Sequence, residues 1–214
     1  MDLAKDIQDK LQFIPNHVRI VAATKYVEAE DMLKLFSIGI HDFGENRVDS
    51  FLRKYEELKQ EKIHWHFIGH LQTNKAKQVL SKIDVLHSLD SLKLASIIEK
   101  ERDTPLDCFV EININKEESK DGIPEEECEA FLKSLQAYPK VNVVGFMMMT
   151  VKECTKEEKQ LQFSRLTQFM LDMNKKLGLE MKQLSMGMSD DYIEAIASGA
   201  TTVRLGRMLW NQKM

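Results

Sequence analysis

The sequence predicts an α/β fold, a single closed (β/α)8 barrel, on three observations. Short β-branched or aromatic runs alternate with longer stretches of helical periodicity, the signature of a parallel sheet covered by helices. Eight such units can be counted between positions 18 and 206. Neither phosphate-binding fingerprint of the open α/β sheets occurs: no G-x-G-x-x-G follows the first strand and no G-x-x-x-x-G-K-[ST] is found anywhere. At 214 residues the chain is short for such a barrel, and an open doubly wound sheet is the second choice.

The elements follow in order. Leu3, Ile7 and Leu11 recur at fourfold spacing and predict an amphipathic helix from Leu3 to Phe13, stopped by Pro15; VRIVAA then reads as a buried strand ending at Thr24-Lys25. EAEDMLKLFSIG is a helix closed by Gly39, DFG a short strand, and RVDSFLRKYEELK a helix with Val48, Phe51, Leu52 and Tyr55 on one face. WHFIG is strand three, KAKQVLSK a helix, IDVLHSL strand four, SLKLASIIEKER a helix and LDCFVEINI strand five. PEEECEAFLKSLQAY opens with proline in a helix's first turn, and VNVVGFMMM is strand six. A long helix from Thr155 ends at Gly178, KQLSMG is strand seven, SDDYIEAIASG a helix and TTVRLG strand eight. No linker, repeat or low-complexity tract divides the chain, so residues 1–214 are expected to form one domain.

Composition narrows the function. Thirty Lys and Arg against 34 Asp and Glu give a net charge of −4 without long single-sign blocks, which excludes a polybasic nucleic-acid binder. With 43% hydrophobic and 30% charged residues the chain can bury a full core. No stretch approaches the roughly 20 apolar residues of a membrane span. The N-terminus lacks a signal-peptide pattern, and Cys108, Cys128 and Cys154 are odd in number and widely spaced. Reduced thiols in a soluble cytoplasmic protein are expected.

In such a barrel the chemistry sits at the C-terminal ends of the strands. Lys25 stands where an apolar strand ends; partial removal from water there would favour the free amine that a Schiff-base lysine needs. A surface lysine entering a loop is the plain alternative. Gly187, Ser189 and Gly206 put backbone N–H groups and a hydroxyl after strands seven and eight, the usual phosphate position. Ser189 could equally cap the following helix, and Asp190 and Asp191 would repel a phosphate unless they point outward. Arg204 lies inside an apolar strand and needs a partner, either a ligand or a carboxylate such as Glu111. His64, His66 and His70 offer imidazoles, but no carboxylate joins them in a recognised ligand spacing, so ordinary packing is preferred to a metal. Met147, Met148 and Met149 read as barrel filling.

VAATKYVE, FGENRV, WHFIGHLQTNK, VGFMMM and LSMGMSDDYIEAIASGATTVRLG, in this order, resemble the pyridoxal phosphate homeostasis protein family over nearly the whole chain. The resemblance implies a barrel of the alanine racemase N-terminal domain type, with pyridoxal 5′-phosphate held as a Schiff base on Lys25. It also implies a phosphate site at Ser189, Gly206 and the backbone amide of Arg207, and Arg204 facing the pyridine nitrogen. Asn46 falls in the cofactor-proximal loop, and Met186 and His66 in the pocket wall.

Pyridoxal phosphate acts as an electron sink when its pyridine is protonated, which enzymes usually enforce with a carboxylate. Arg204 in that place disfavours protonation, and no β-domain that would supply a second base is expected after strand eight. The resemblance therefore implies a carrier or buffer in vitamin B6 homeostasis rather than a robust enzyme, monomeric and able to serve pyridoxal phosphate-dependent apoenzymes. An amino acid racemase is the leading alternative and a phosphosugar enzyme using Lys25 the third. The chain departs from the family's FGENYVQE at Arg47, Asp49 and Ser50, carries Arg207 where a small residue is usual, and reads Leu209-Trp210-Asn211 in place of IFG.

Overall fold

The computed structural model describes residues 7, 9–114, 122–151 and 153–210. Eight parallel strands close into a barrel: β1 (Arg19–Ala23), β2 (Asp42–Glu45), β3 (His64–Phe67), β4 (Val85–Leu89), β5 (Leu106–Asn113), β7 (Val141–Met147), β8 (Gln183–Met188) and β9 (Thr202–Leu205). Their order is β4-β3-β2-β1-β9-β8-β7-β5, and the β4–β5 pairing closes the ring. A two-residue strand, β6 (Ile123–Pro124), adds to the outer end of β5 and was not foreseen; Pro124 pairs there and precedes its helix instead of opening it. The helices are α1 (Ala29–Phe36), α2 (Val48–Leu58), α3 (Thr73–Val79), α4 (Leu92–Glu101), α5 (Glu125–Leu135), α6 (Lys156–Leu177), α7 (Tyr192–Ala197) and the short α8 (Arg207–Trp210). Residues 9–11 are helical, and the rest of the helix expected from Leu3 lies partly outside the described residues.

Local chemistry explains the boundaries. Ser91 accepts the Leu94 N–H at the start of α4, Thr155 and Glu158 form a reciprocal capping box on α6, and Gly178 ends α6 in the left-handed region at φ +66°. Side chains alternate across each strand. One set, including Ala22, Phe43, Phe67, Leu86, Val110 and Phe146, packs against the helices as the main core; the other fills the lumen, where Val85, Phe109 and Met147 form a separate cluster. Met147 is thus barrel filling, whereas Met148 faces the helices and Met149 is exposed. β7 and β8 pass close together at Gly145, where a Cβ would lie 1.7 Å from the Gln183 carbonyl oxygen, so only glycine fits.

Candidate functional site

Three neighbouring strands bring the expected residues to one rim. β9 lies between β1 and β8, and Arg204 pairs with Val21 and Met188 across the two ladders. Beyond those positions the chain continues to Lys25, Gly206 and Ser189.

Arg204 is buried at the top of the lumen. It donates to the Ser185 carbonyl at 2.8 Å, the Ser185 hydroxyl at 2.7 Å and the Met148 carbonyl at 3.0 Å. Its hydrogen-bond partners are therefore uncharged groups, while Glu111 acts through its field. Burial pulls the guanidinium down to about 10, which leaves it charged at neutral pH. Ser189 does not cap α7, which starts three residues later behind Asp191. Its hydroxyl instead accepts the backbone N–H groups of Gly206 and Met208, each at 3.3 Å. The second amide belongs to the residue after the expected Arg207, because α8 turns the chain so that Met208 N–H faces the loop. Two amides converging on one oxygen make a small anion cradle. The neighbouring carboxylates do not oppose it: Asp190 is paired with the Arg207 side chain, and Asp191 accepts Met188 N–H at 2.6 Å and the Thr150 hydroxyl at 2.8 Å.

Lys25 is exposed, contrary to the expected partial burial, because β1 stops at Ala23 and the following turn carries the side chain past the rim. Its Nζ lies 4.4 Å from the centre of the Tyr26 ring. Beneath this turn is a buried ion pair that the sequence reading missed. Lys54 of α2 and Glu45 of β2 are both out of solvent and bonded to each other. Lys54 also donates to the Thr24 carbonyl at 2.6 Å, and the Thr24 hydroxyl donates to Glu45 at 2.7 Å. Glu45 further accepts Asn46 N–H at 3.3 Å, so one pair anchors the residues before Lys25 and at Asn46. A signal existed: Lys54 falls on the apolar stripe of α2, three residues after Phe51 and four before Leu58. Asn46 is held from above by Gly69, whose missing Cβ would come within 2.4 Å of the Asn46 carbonyl. Its side-chain oxygen Oδ1 is buried without a hydrogen-bond partner among the described residues.

Two further expected residues lie deeper than the rim. Met186 is fully buried in the core between barrel and helices, because strand alternation turns it away from Ser185, which faces the lumen. His66 is also fully buried, one layer below the rim, and belongs to a polar ladder in the lumen. From the top, the Ser185 hydroxyl meets His87 Nδ1 at 2.7 Å, His87 Nε2 meets His66 Nδ1 at 2.8 Å, and His66 Nε2 meets Asp42 Oδ1 at 2.9 Å. Burial pushes both His66 and His87 below the ordinary imidazole range. Arg204 and Ser185 thus link the rim to the opposite end of the barrel.

The class is set by the match of this chain to known proteins. It belongs to the alanine racemase N-terminal domain family, whose model matches residues 3–213. Within that class it is similar to the pyridoxal phosphate homeostasis protein of Aquifex aeolicus, with 35% identity over 92% of this chain and 88% of that one. The corresponding protein of Synechocystis is 36% identical over 94% of each chain. Among solved structures, PipY of Synechococcus elongatus, known without PLP and with PLP bound, superposes with TM-scores of 0.92 and 0.90 at 29% identity, covering 97% of this chain and 99% of that one. An alanine racemase of Clostridium difficile shares the fold at a TM-score of 0.79 and 16% identity; the match covers 98% of this chain and 56% of the racemase.

Proposed function

We propose that this chain binds pyridoxal 5′-phosphate at the C-terminal rim of the barrel, covalently on Lys25, and serves as a carrier or buffer in vitamin B6 homeostasis. The observation that carries the reading is the grouping of Lys25, Arg204 and the Ser189 cradle at the ends of three adjacent strands. The residues fit the group: the amides of Gly206 and Met208 converge beside the Ser189 hydroxyl, a donor set that suits a phosphate oxygen. The names of the relatives and the PLP-bound PipY structure point the same way.

When bound, pyridoxal phosphate supplies a reactive aldehyde and an electron-withdrawing ring. Lys25 offers its amine from a turn held by the Lys54–Glu45 pair. Ser189, Gly206 and the amides of Arg207 and Met208 would hold the phosphate, and the Arg207 side chain is kept outside by its pair with Asp190. Arg204, held by Ser185 and Met148, would have N–H groups left to offer a pyridine nitrogen, which would then have to accept and so stay unprotonated. That arrangement would hold the ring while weakening it as an electron sink, which supports storage or delivery over catalysis.

The test is borohydride reduction of the protein loaded with pyridoxal phosphate, followed by peptide mapping. The label is expected on Lys25 and absent from Lys25→Ala, with no turnover of free amino acids. Label on another lysine, or steady racemisation by the wild-type protein, would overturn the reading.

A further inference from the structure

At the N-terminal end of the barrel, away from the rim, three potential ligands meet. Asp42 Oδ1 lies 2.8 Å from His64 Nδ1 and 2.9 Å from His66 Nε2, and the two nitrogens are 3.1 Å apart. The arrangement follows from register: Asp42 and His64 are paired across β2 and β3, and His66 is two residues further along the same face. This supplies the carboxylate that the linear spacing of the histidines did not reveal.

We propose that Asp42, His64 and His66 form a binding site for one borderline divalent transition-metal ion of the Zn2+ or Co2+ class. Two imidazoles and one carboxylate suit such ions. Tetrahedral bonds of about 2.0–2.2 Å place neighbouring ligand atoms about 3.3–3.6 Å apart, so the three atoms, 2.8–3.1 Å apart here, need open by only about 0.5 Å to take an ion. As hydrogen bonding alone the triangle is poor. Both nitrogens approach a single carboxylate oxygen from nearly the same side, closer to each other than two separate lone pairs would hold them. An ion above the three atoms turns that crowding into coordination. His66 is fully buried and fixes one ligand, while His64 and Asp42 are part exposed, with side-chain exposures of 40% and 25%, leaving a solvent path for the ion and its waters. Arg19 Nε stands 3.7 Å from Asp42 and is itself 41% exposed, so it can swing away; the Asp84 carboxylate adds negative field at His64.

The contact behind His66 fits as well. Metal-bound His66 Nε2 requires the proton on Nδ1, and His87 Nε2 lies 2.8 Å away to accept it. His87 then donates from Nδ1 to the Ser185 hydroxyl, which carries the polarity of the ladder on toward Arg204.

The experiment titrates the chelator-stripped protein with Co2+ and Zn2+, following the ligand-field absorbance of Co2+ and bound metal per chain. One ion per chain is expected. His64→Gln and Asp42→Asn should each weaken binding more than about tenfold, and His87→Gln, which removes the acceptor behind His66, by about 10–100-fold. His70→Gln, whose ring pairs with Asp90 instead, should bind as the wild type does. His64 is part exposed, so its variant is expected to keep the native circular dichroism spectrum and can decide the matter alone. Wild-type protein that binds no metal, or binds it as tightly after His64→Gln, would overturn the proposal. Because the titration contains no pyridoxal phosphate, its failure is separate from failure of the rim assignment.

Discussion

Ser189 shows how a single hydroxyl can be separated from its competing roles. As a helix cap it would matter to α7, yet its partners are the amides of Gly206 and Met208. Ser189→Ala should therefore leave the thermal midpoint nearly unchanged while weakening pyridoxal phosphate binding by about 1–3 kcal/mol, the range for a hydrogen bond to a charged group. An unaltered dissociation constant in a spectrophotometric titration would remove Ser189 from the site. The cysteines separate in the same way. Cys108 and Cys128 are buried, and burial raises both thiols, Cys128 to about 12. Cys154 is only half-buried. A thiol reagent should label Cys154 alone in the native protein and all three in denaturant; early labelling at Cys108 would contradict a closed barrel wall at β5.

At the scale of elements, α2 joins fold to site through Lys54. The apolar face read from Val48, Phe51, Leu52 and Tyr55 correctly marks the helix, but a charged residue on that face reads as an exception until β2 is known to set Glu45 beneath it. Lys54→Met leaves Glu45 buried without its counter-charge and should cost about 3–5 kcal/mol, as broken buried ion pairs do. Adding Glu45→Gln to Lys54→Met should recover part of that stability in urea unfolding, since no uncompensated charge remains. The double variant should still bind pyridoxal phosphate more weakly than the wild type, because Thr24 and Asn46 lose their common anchor. Additive losses in the two single variants would show that the pair is not coupled. The strands were legible because parallel strands buried on both faces are continuous apolar runs, as in VRIVAA. The boundary that mattered, Ala23 against Lys25, was not, since the end of a strand depends on where its neighbours stop pairing.

For the whole molecule, the alternation of strands and helices was enough to predict closure, and Lys25, Ser189 and Arg204 were legible from their places after or within strands. The lumen was not. Asp42, His66, His87, Ser185 and Arg204 come from five strands and become neighbours only when the ring closes, so no sequence spacing encodes their ladder. His87 gives that ladder a measurable signature. Burial first, and then the nearby His66 and Arg204, push it well below the ordinary value of 6.5. The unfolded chain therefore takes up a proton near pH 6.5 that folded His87 refuses, so its contribution to stability is complete above that pH and declines as the pH falls below it. In chelator, His87→Gln should be less stable than the wild type near pH 8, through the lost bonds to His66 and Ser185. The difference should shrink below about pH 6.5 by up to about 1.4 kcal/mol per pH unit, the limit for one proton. His64, which is shifted upward mainly by its bond to Asp42, titrates in both proteins and cancels in the comparison. Urea midpoints measured across this range decide the matter: a stability gap that stays constant with pH would mean that His87 accepts its proton without leaving the fold, and that the ladder tolerates a charge in the barrel's interior.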